Sequence, residues 1–213
     1  MEFFLNKNAG LMVENLVSVI QSNKDYLSTV DGAIGDGDHG INMNKGFTIC
    51  GERLQGQAMD MSQSFSLLSN VLMMEIGGSM GPLYGTFFDG LASASEKAEK
   101  IDKNVFGKML QQAYENLAEL SGAKVGDKTL MDVLIPACEA YGAALGEGKN
   151  FRESVDAMRA AAESGKESTR DLVAKLGRAS RLGERSRGVL DAGAASCNII
   201  LQSIGDTIIQ LLK

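Results

Sequence analysis

Asp31-Gly-Ala-Ile-Gly-Asp-Gly-Asp-His-Gly40 crowds three carboxylates, Asp31, Asp36 and Asp38, into eight residues beside four glycines and the only histidine of the chain. Like charges this close repel one another, and a divalent cation relieves the repulsion; an all-oxygen donor set suits hard ions such as Mg²⁺ and Ca²⁺. An EF-hand begun at Asp36 would need Gly at its sixth position and Glu at its twelfth, where the chain has Ile41 and Phe47. Gly35-Asp-Gly37-Asp-His-Gly40 has the glycine spacing of a dinucleotide fingerprint, yet that motif needs a preceding strand and a bare backbone, and two carboxylates would repel the pyrophosphate. A cation between carboxylates and phosphates removes the conflict. The stretch is therefore expected to be a Mg²⁺ cradle for a polyphosphate, its glycines permitting tight turns. The plainer alternative is a solvated acidic turn, the usual fate of Asp-Gly pairs.

On both sides of this stretch the apolar period is helical. From Leu11 to Thr29, Met12, Leu16, Ile20 and Leu27 share a face, and Ile41 to Leu54 forms a second helix. His39, Gly40 and Asn42 then lie at a helix start, where free amides and the helix dipole favour anions. Ser62 is expected to cap a third helix carrying Phe65, Leu68, Leu72 and Ile76, which ends at Gly77-Gly-Ser-Met-Gly81. Pro82 opens a fourth, with Leu83, Phe87, Leu91 and Ala94 inward. By pattern this second glycine loop reads equally well as a phosphate cradle or a tight interhelical turn.

Asn104 to Leu120 gives a fifth helix, and a sixth runs to Leu145 with a bend near Pro136, capped by Asp127 or Thr129; Lys128 reads as surface charge. Phe151 to Leu176 is a seventh. Four arginines, Arg178, Arg181, Arg185 and Arg187, then crowd an acidic protein's loop, suited to bidentate phosphate recognition, to solvent or to an acidic partner. Ala194 to Leu212 is the eighth helix, with Asp191 placed to cap it. There is no repeat, no long linker and no convincing alternating strand. The expected fold is all-α, a single domain over residues 1–213: an antiparallel bundle or barrel of eight helices. If successive helices alternate in direction, the loops after the first, third, fifth and seventh share one rim, which gathers Asp36, Ser79, Gly126 and Arg178.

Bulk properties narrow the function. A chain of 213 residues buries roughly 70% of its unfolded surface without staples. The net charge of -6 argues against nucleic acid, so a phosphate ligand must bring metal. Cys50, Cys138 and Cys197 have neither zinc spacing nor a disulfide framework and read as small buried hydrophobes in a reducing cytosol. No leader and no apolar run near ~18 residues is apparent, so a soluble, cytoplasmic protein without a membrane partner is expected.

Four ordered motifs resemble the dihydroxyacetone kinase L subunit family: Asp31 to Met43, Gly81-Pro-Leu-Tyr-Gly-Thr-Phe-Phe88, Gly126-Asp-Lys-Thr129, and Gly177-Arg-Ala-Ser180 with Leu182-Gly-Glu-Arg-Ser186. The resemblance spans nearly the whole chain and implies an eight-helix antiparallel barrel with ADP or ATP at one rim. It implies that Asp31, Asp36 and Asp38 hold two Mg²⁺ ions, that His39, Gly40, Ile41 and Asn42 line the phosphates, and that Ser79 and Met80 stand at the second glycine loop. Gly122, Leu130 and Arg178 line the rest of the pocket, with Asp191, Ala192 and Gly193 beside it. The family usually has Ser at the place of Met80 and Pro at that of Ala192, so a phosphate donor and a stiffening ring are missing here.

The resemblance also implies partners. In one branch the L subunit keeps ADP as a cofactor, accepts phosphate from a phosphohistidine donor, the M subunit, and passes it to dihydroxyacetone on a K subunit; in the other, fused chains use free ATP. The length fits the first. No catalytic base is assigned to this chain, because phosphoryl transfer is mainly positioning and charge neutralisation. The related fatty-acid kinase nucleotide domain fits the loop and length less well. The competing readings are a regulatory nucleotide-binding subunit without phosphoryl transfer and an ATP-dependent kinase domain with a different substrate-binding partner.

Overall fold

A computed structural model describes residues 2–212. Helix dominates because the apolar positions recur at helical spacing and Pro is scarce. The elements are β1 (Phe3–Leu5), α1 (Leu11–Ser22), α2 (Lys24–Gly32), α3 (His39–Leu54), α4 (Met61–Glu75), α5 (Met80–Ser95), β2 (Lys100–Asp102), α6 (Lys103–Ser121), α7 (Met131–Gly146), α8 (Phe151–Ser168) and α9 (Ala192–Leu211). Helices α1, α3, α4, α5, α6, α7, α8 and α9 each pack on the next, and α9 returns to α1, so these helices close a ring; α2 lies against α3 and α9.

The connections α2–α3, α4–α5, α6–α7 and α8–α9 all supply walls of one cleft. Ring helices therefore alternate in direction, as the loop parity predicts. The other end is plugged by aromatics. Phe106 stands 5.3 Å from Tyr141 and 5.9 Å from Phe151, and Phe4 is 6.3 Å from Phe151, centroid to centroid. A second cluster, Phe47, Phe65, Phe87 and Phe88, fills the side formed by α3, α4 and α5.

Local chemistry revises four expectations. The first expected helix is two: the Asn23 side chain donates to Val19 O at 2.8 Å while its backbone sits at ψ 7°, ending α1, and Leu27 N reaches Asn23 O to start α2. Ser62 is no cap. It is buried, exchanging hydrogen bonds with Asn6 and Ser95, and the cap of α4 is Asp60, whose carboxylate accepts from Gln63 N while the Gln63 side chain accepts from Asp60 N. The seventh expected helix stops at Ser168; a 3₁₀ turn (Thr169–Asp171) and extended chain follow. A short antiparallel ribbon pairs Phe4 with Ile101, too brief for alternation to announce it. Cys50 and Cys197 are buried and Cys138 half-buried, and all three are free; burial pushes the Cys50 and Cys138 thiols up to about 12.

One close approach brings the first site elements together. A Cβ on Gly40 would lie 2.6 Å from Ser28 Oγ and 2.7 Å from Ser28 N, so only glycine lets α3 begin against α2.

Candidate nucleotide and metal site

The cleft at the loop end has a volume of about 870 Å³, within the range of small-molecule and cofactor pockets. Asp31 sits in the last turn of α2, whose carbonyl there accepts from Ile34 N and Gly35 N at 3.1 and 2.6 Å. Gly37, at φ +77°, takes a left-handed turn that a side chain would resist, and Asp38 then starts α3. One oxygen from each of Asp31, Asp36 and Asp38 lies within 4.8 Å of the others. The set is all oxygen and triply negative, so these residues fit a hard divalent cation. Across the cleft, the Arg178 guanidinium pairs with Asp36 and comes within 4.0 Å of Asp38.

Behind the carboxylates, the backbone N–H of His39 donates to Asp31 Oδ2 at 3.3 Å, and its Nε2 meets Ser196 Oγ at 2.8 Å. Ser196 Oγ is in turn 2.6 Å from the Tyr84 hydroxyl, which also reaches Gly193 O at 3.0 Å. Burial lowers the His39 pKa, and the Asp31 charge opposes that only in part; burial drives the Tyr84 phenol well upward. A neutral imidazole and a neutral phenol thus share one buried network.

The opposite wall is pinned from below. Lys128 is buried, holds a left-handed backbone at φ +62°, and donates from Nζ to Thr169 O at 2.5 Å and Val189 O at 2.6 Å. Those two carbonyls are the roots of the segment that carries Leu176, Gly177 and Arg178. Within it, Ala174 N donates to Ser186 Oγ and Gly188 N to Arg170 O, so the segment folds upon itself. The buried Asp132 carboxylate accepts from Gly126 N at 2.6 Å and Thr129 N at 2.7 Å, shaping the loop that presents Lys128. Asp191 caps α9 by accepting from Ala194 N at 2.7 Å, and burial raises its carboxyl to about 7 although Lys128 pulls the other way.

Residues 33–206 match the DAK2 domain model. The chain belongs to the DAK2 domain family. The ADP-binding subunit of the PEP-dependent dihydroxyacetone kinase of Escherichia coli (strain K12) is 34% identical over 188 residues, covering 87% of this chain and 89% of that subunit. An ADP-binding subunit of Listeria innocua is 33% identical over 206 residues, covering 92% and 93%. The crystal structure of dihydroxyacetone kinase from C. freundii with AMP-PNP and Mg²⁺ superposes with a TM-score of 0.69 at 24% identity, over 94% of this chain and 34% of that one, which supports the fold. The resemblance drawn from the four motifs to the dihydroxyacetone kinase L subunit therefore holds.

In this DAK2 chain the cleft brings together Asp31, Asp36, Asp38, His39, Asn42, Ser79, Met80, Leu130, Arg178, Asp191, Ala192 and Gly193. Gly40, Ile41 and Gly122 do not line it. Gly40 faces Ser28, Ile41 is 53% exposed at the rim, and Gly122 ends α6 in a left-handed cap between the lining residues Ser121 and Ala123. Lys128 is no surface charge, and Thr129 rather than Asp127 helps open α7, its hydroxyl accepting from Met131 N at 3.1 Å. Asp127 instead turns back to Lys124 N and Lys175. Tyr84 and Lys128 lie inside two of the quoted motifs, which assign them no role, and Ser196 lies outside all four. Ser196 leaves only a trace, a polar residue in the otherwise apolar run Ala194-Ala-Ser-Cys197. No described helix is long and apolar enough to cross a membrane.

Proposed function

We propose that this chain is the ADP/ATP-binding subunit of a dihydroxyacetone kinase, a cytoplasmic phosphotransferase in which a phosphohistidine M subunit charges bound ADP and a K subunit presents dihydroxyacetone. The observation that carries the reading is the carboxylate triad Asp31, Asp36 and Asp38 converging within 4.8 Å in the wall of a cleft sized for a nucleotide, with Arg178 beside it. Asp31, Asp36 and Asp38 would hold two Mg²⁺ ions, and metal bound there supplies charge neutralisation to the polyphosphate.

The chain's own groups then position rather than react. His39 and Asn42 at the start of α3 face the phosphates, as do Ser79 and Met80 at the start of α5. Arg178 adds an always-charged planar donor over the same end of the cleft. Leu130 and the half-exposed Leu120 and Leu176 offer apolar surface for a base. The chain is assigned no general base, and the substrate's proton is handled by the partner. Met80 in place of a hydroxyl removes one phosphate donor and leaves Ser79 to act.

Around the mouth, Ile41, Leu120 and Leu176 are more than 40% exposed, and Arg181 and Arg185 form no ion pair among the described residues. This mixed apolar and basic rim suits the K and M subunits. The test is reconstitution: purified chain should carry ADP, and with K and M subunits and phosphoenolpyruvate should phosphorylate dihydroxyacetone, with labelled phosphate passing through nucleotide. ADP binding without turnover would leave the regulatory reading in its place; acid-labile phosphate on His39 would make the chain a phosphocarrier.

A further inference from the structure

We propose that Met80 is an oxidation site built into the nucleotide cleft: a peroxide converts its thioether to the sulfoxide, and the oxidised side chain and a bound polyphosphate exclude one another. This device rests on the functional reading above, since it regulates that same site. The accessible methionines of the chain gather at one place. Of the 11 methionines, Met1 lies outside the described residues, and Met12, Met43, Met61, Met109, Met131 and Met158 are buried. Met59 is half-buried in the α3–α4 connection, at the end away from the cleft. The other three, Met73, Met74 and Met80, flank the glycine loop Gly77-Gly-Ser79. Met73 is 41% and Met74 82% exposed, while Met80 is half-buried in the wall of the cleft.

Met80 differs from its two neighbours by its position, because it is the first residue of α5. In that turn Pro82 has no N–H, and the N–H of Leu83 is directed to Ser79 O at 3.1 Å. The amides of Met80 and Gly81 are left as the donors of the turn. A thioether is a weak acceptor, so it leaves those donors to an anionic ligand. A sulfoxide is polar, and its oxygen carries partial negative charge at a helix start that favours negative charge. Oxidised Met80 therefore competes with phosphate for the same amides and adds an atom to the wall. The exclusion is reciprocal, so bound nucleotide shields the sulfur from the oxidant.

The chemistry balances with hydrogen peroxide alone. A lone pair of the Met80 sulfur attacks one peroxide oxygen, and the S–O bond forms as the O–O bond breaks. The departing hydroxide takes the proton of the transferred oxygen and leaves as water; sulfur is oxidised by two electrons and the peroxide reduced by two. The cysteines do not compete for the oxidant. Cys50 and Cys197 are buried and Cys138 half-buried, and burial raises all three thiols, so they stay protonated.

Peptide mass mapping joined to calorimetry tests the device on the whole chain. In nucleotide-free protein, hydrogen peroxide should oxidise Met73, Met74 and Met80 well before the buried methionines. Mg²⁺–ADP should slow oxidation at Met80 and leave that of Met73 and Met74 unchanged. Full oxidation of the three should weaken Mg²⁺–ADP binding about tenfold or more, the scale of a lost hydrogen bond to a charged group. Methionine sulfoxide reductase with dithiothreitol should restore the affinity, and dithiothreitol alone should not. A variant carrying Met73→Leu and Met74→Leu should lose affinity on peroxide as the parent does, whereas Met80→Leu should keep whatever affinity it starts with. An unreactive Met80, a Met80 sulfoxide that binds nucleotide at parental affinity, or a peroxide loss that persists in Met80→Leu overturns the proposal. A chain that oxidises in the expected order but never binds Mg²⁺–ADP refutes the functional reading, and the exclusion with it, while the site of oxidation stands.

Discussion

The turn between α2 and α3 and the segment from Leu172 to Leu190 face each other across the cleft, one acidic and one basic, and they are held in place by opposite means. The acidic turn is nearly self-contained. Its bend comes from Gly37 and its close approach to α2 from Gly40, and its backbone hydrogen bonds join residues no more than eight positions apart. The basic segment has a 3₁₀ run from Arg178 to Ser186, interrupted at Gly183, and its roots are tied to a lysine 41 and 61 residues away. Charge placed by local turns is written into adjacent residues, whereas charge placed by a distant staple depends on the whole ring being closed first.

The most severe break of this contrast lies in the acidic turn. Asp36→Ala removes one oxygen ligand and one negative charge, and is expected to abolish Mg²⁺–ADP binding. The thermal stabilisation that ligand gives the parent, ~2.7 kcal/mol at 100 times its Kd, should vanish with it. Calorimetry finding parental affinity in this variant refutes the metal assignment.

Next comes the staple. Lys128→Met keeps the aliphatic stem but leaves Thr169 O and Val189 O without their donor, at a cost of about 2 to 4 kcal/mol. Helix content by circular dichroism should persist while limited proteolysis cuts between residues 172 and 190. A variant that melts and resists protease like the parent means the segment holds itself.

Arg178→Ala probes the basic side alone and should weaken nucleotide about ten- to a hundredfold, corresponding to about 1.5 to 3 kcal/mol for a hydrogen bond to a charged group. Arg185→Ala, further along the same segment, should leave nucleotide affinity near parental. The reverse pattern in equilibrium binding would redraw the orientation of the segment.

A pH dependence is expected where the two walls meet. Asp191 has a folded pKa near 7, above its unfolded value, so its contribution to stability is full below the unfolded pKa of about 4 and is lost as pH rises through about 7. Asp191→Asn should remove that slope. Melting temperatures should fall more steeply between pH 4 and 8 for the parent than for the variant. Parallel curves would mean that Asp191 titrates as it does in the unfolded chain.

The helices and the shared rim were legible because both follow from short-range rules: apolar period gives each helix, and alternation gives the parity that gathers Asp36, Ser79 and Arg178; Gly126, expected beside them, does not line the cleft and is bonded to Asp132 instead. The cap of α4 was placed at Ser62 rather than at Asp60, because a hydroxyl before an apolar run reads as a cap until its burial beside Asn6 and Ser95 is known. The ribbon of β1 and β2 joins three residues to three across some 97 positions, leaving no local pattern. Lys128 was beyond reach for a related reason: in sequence it is a lysine in a Gly-Asp turn, and only tertiary contacts make it a buried donor. The partnership of Tyr84, Ser196 and His39 likewise joins residues 157 and 112 positions apart.

The return of α9 to α1 also has a clock attached. Asn15 Nδ2 bonds Thr207 Oγ1 across 192 residues, where the first helix of the ring meets the last. During synthesis at roughly 5 to 20 residues per second, the flank of α1 that awaits α9 stays uncovered for about 10 to 40 seconds after it leaves the ribosome. Until then Asp36 and Arg178 have no common frame, and a ribosome stalled before α9 holds a chain with most of its helices and an unsealed apolar seam.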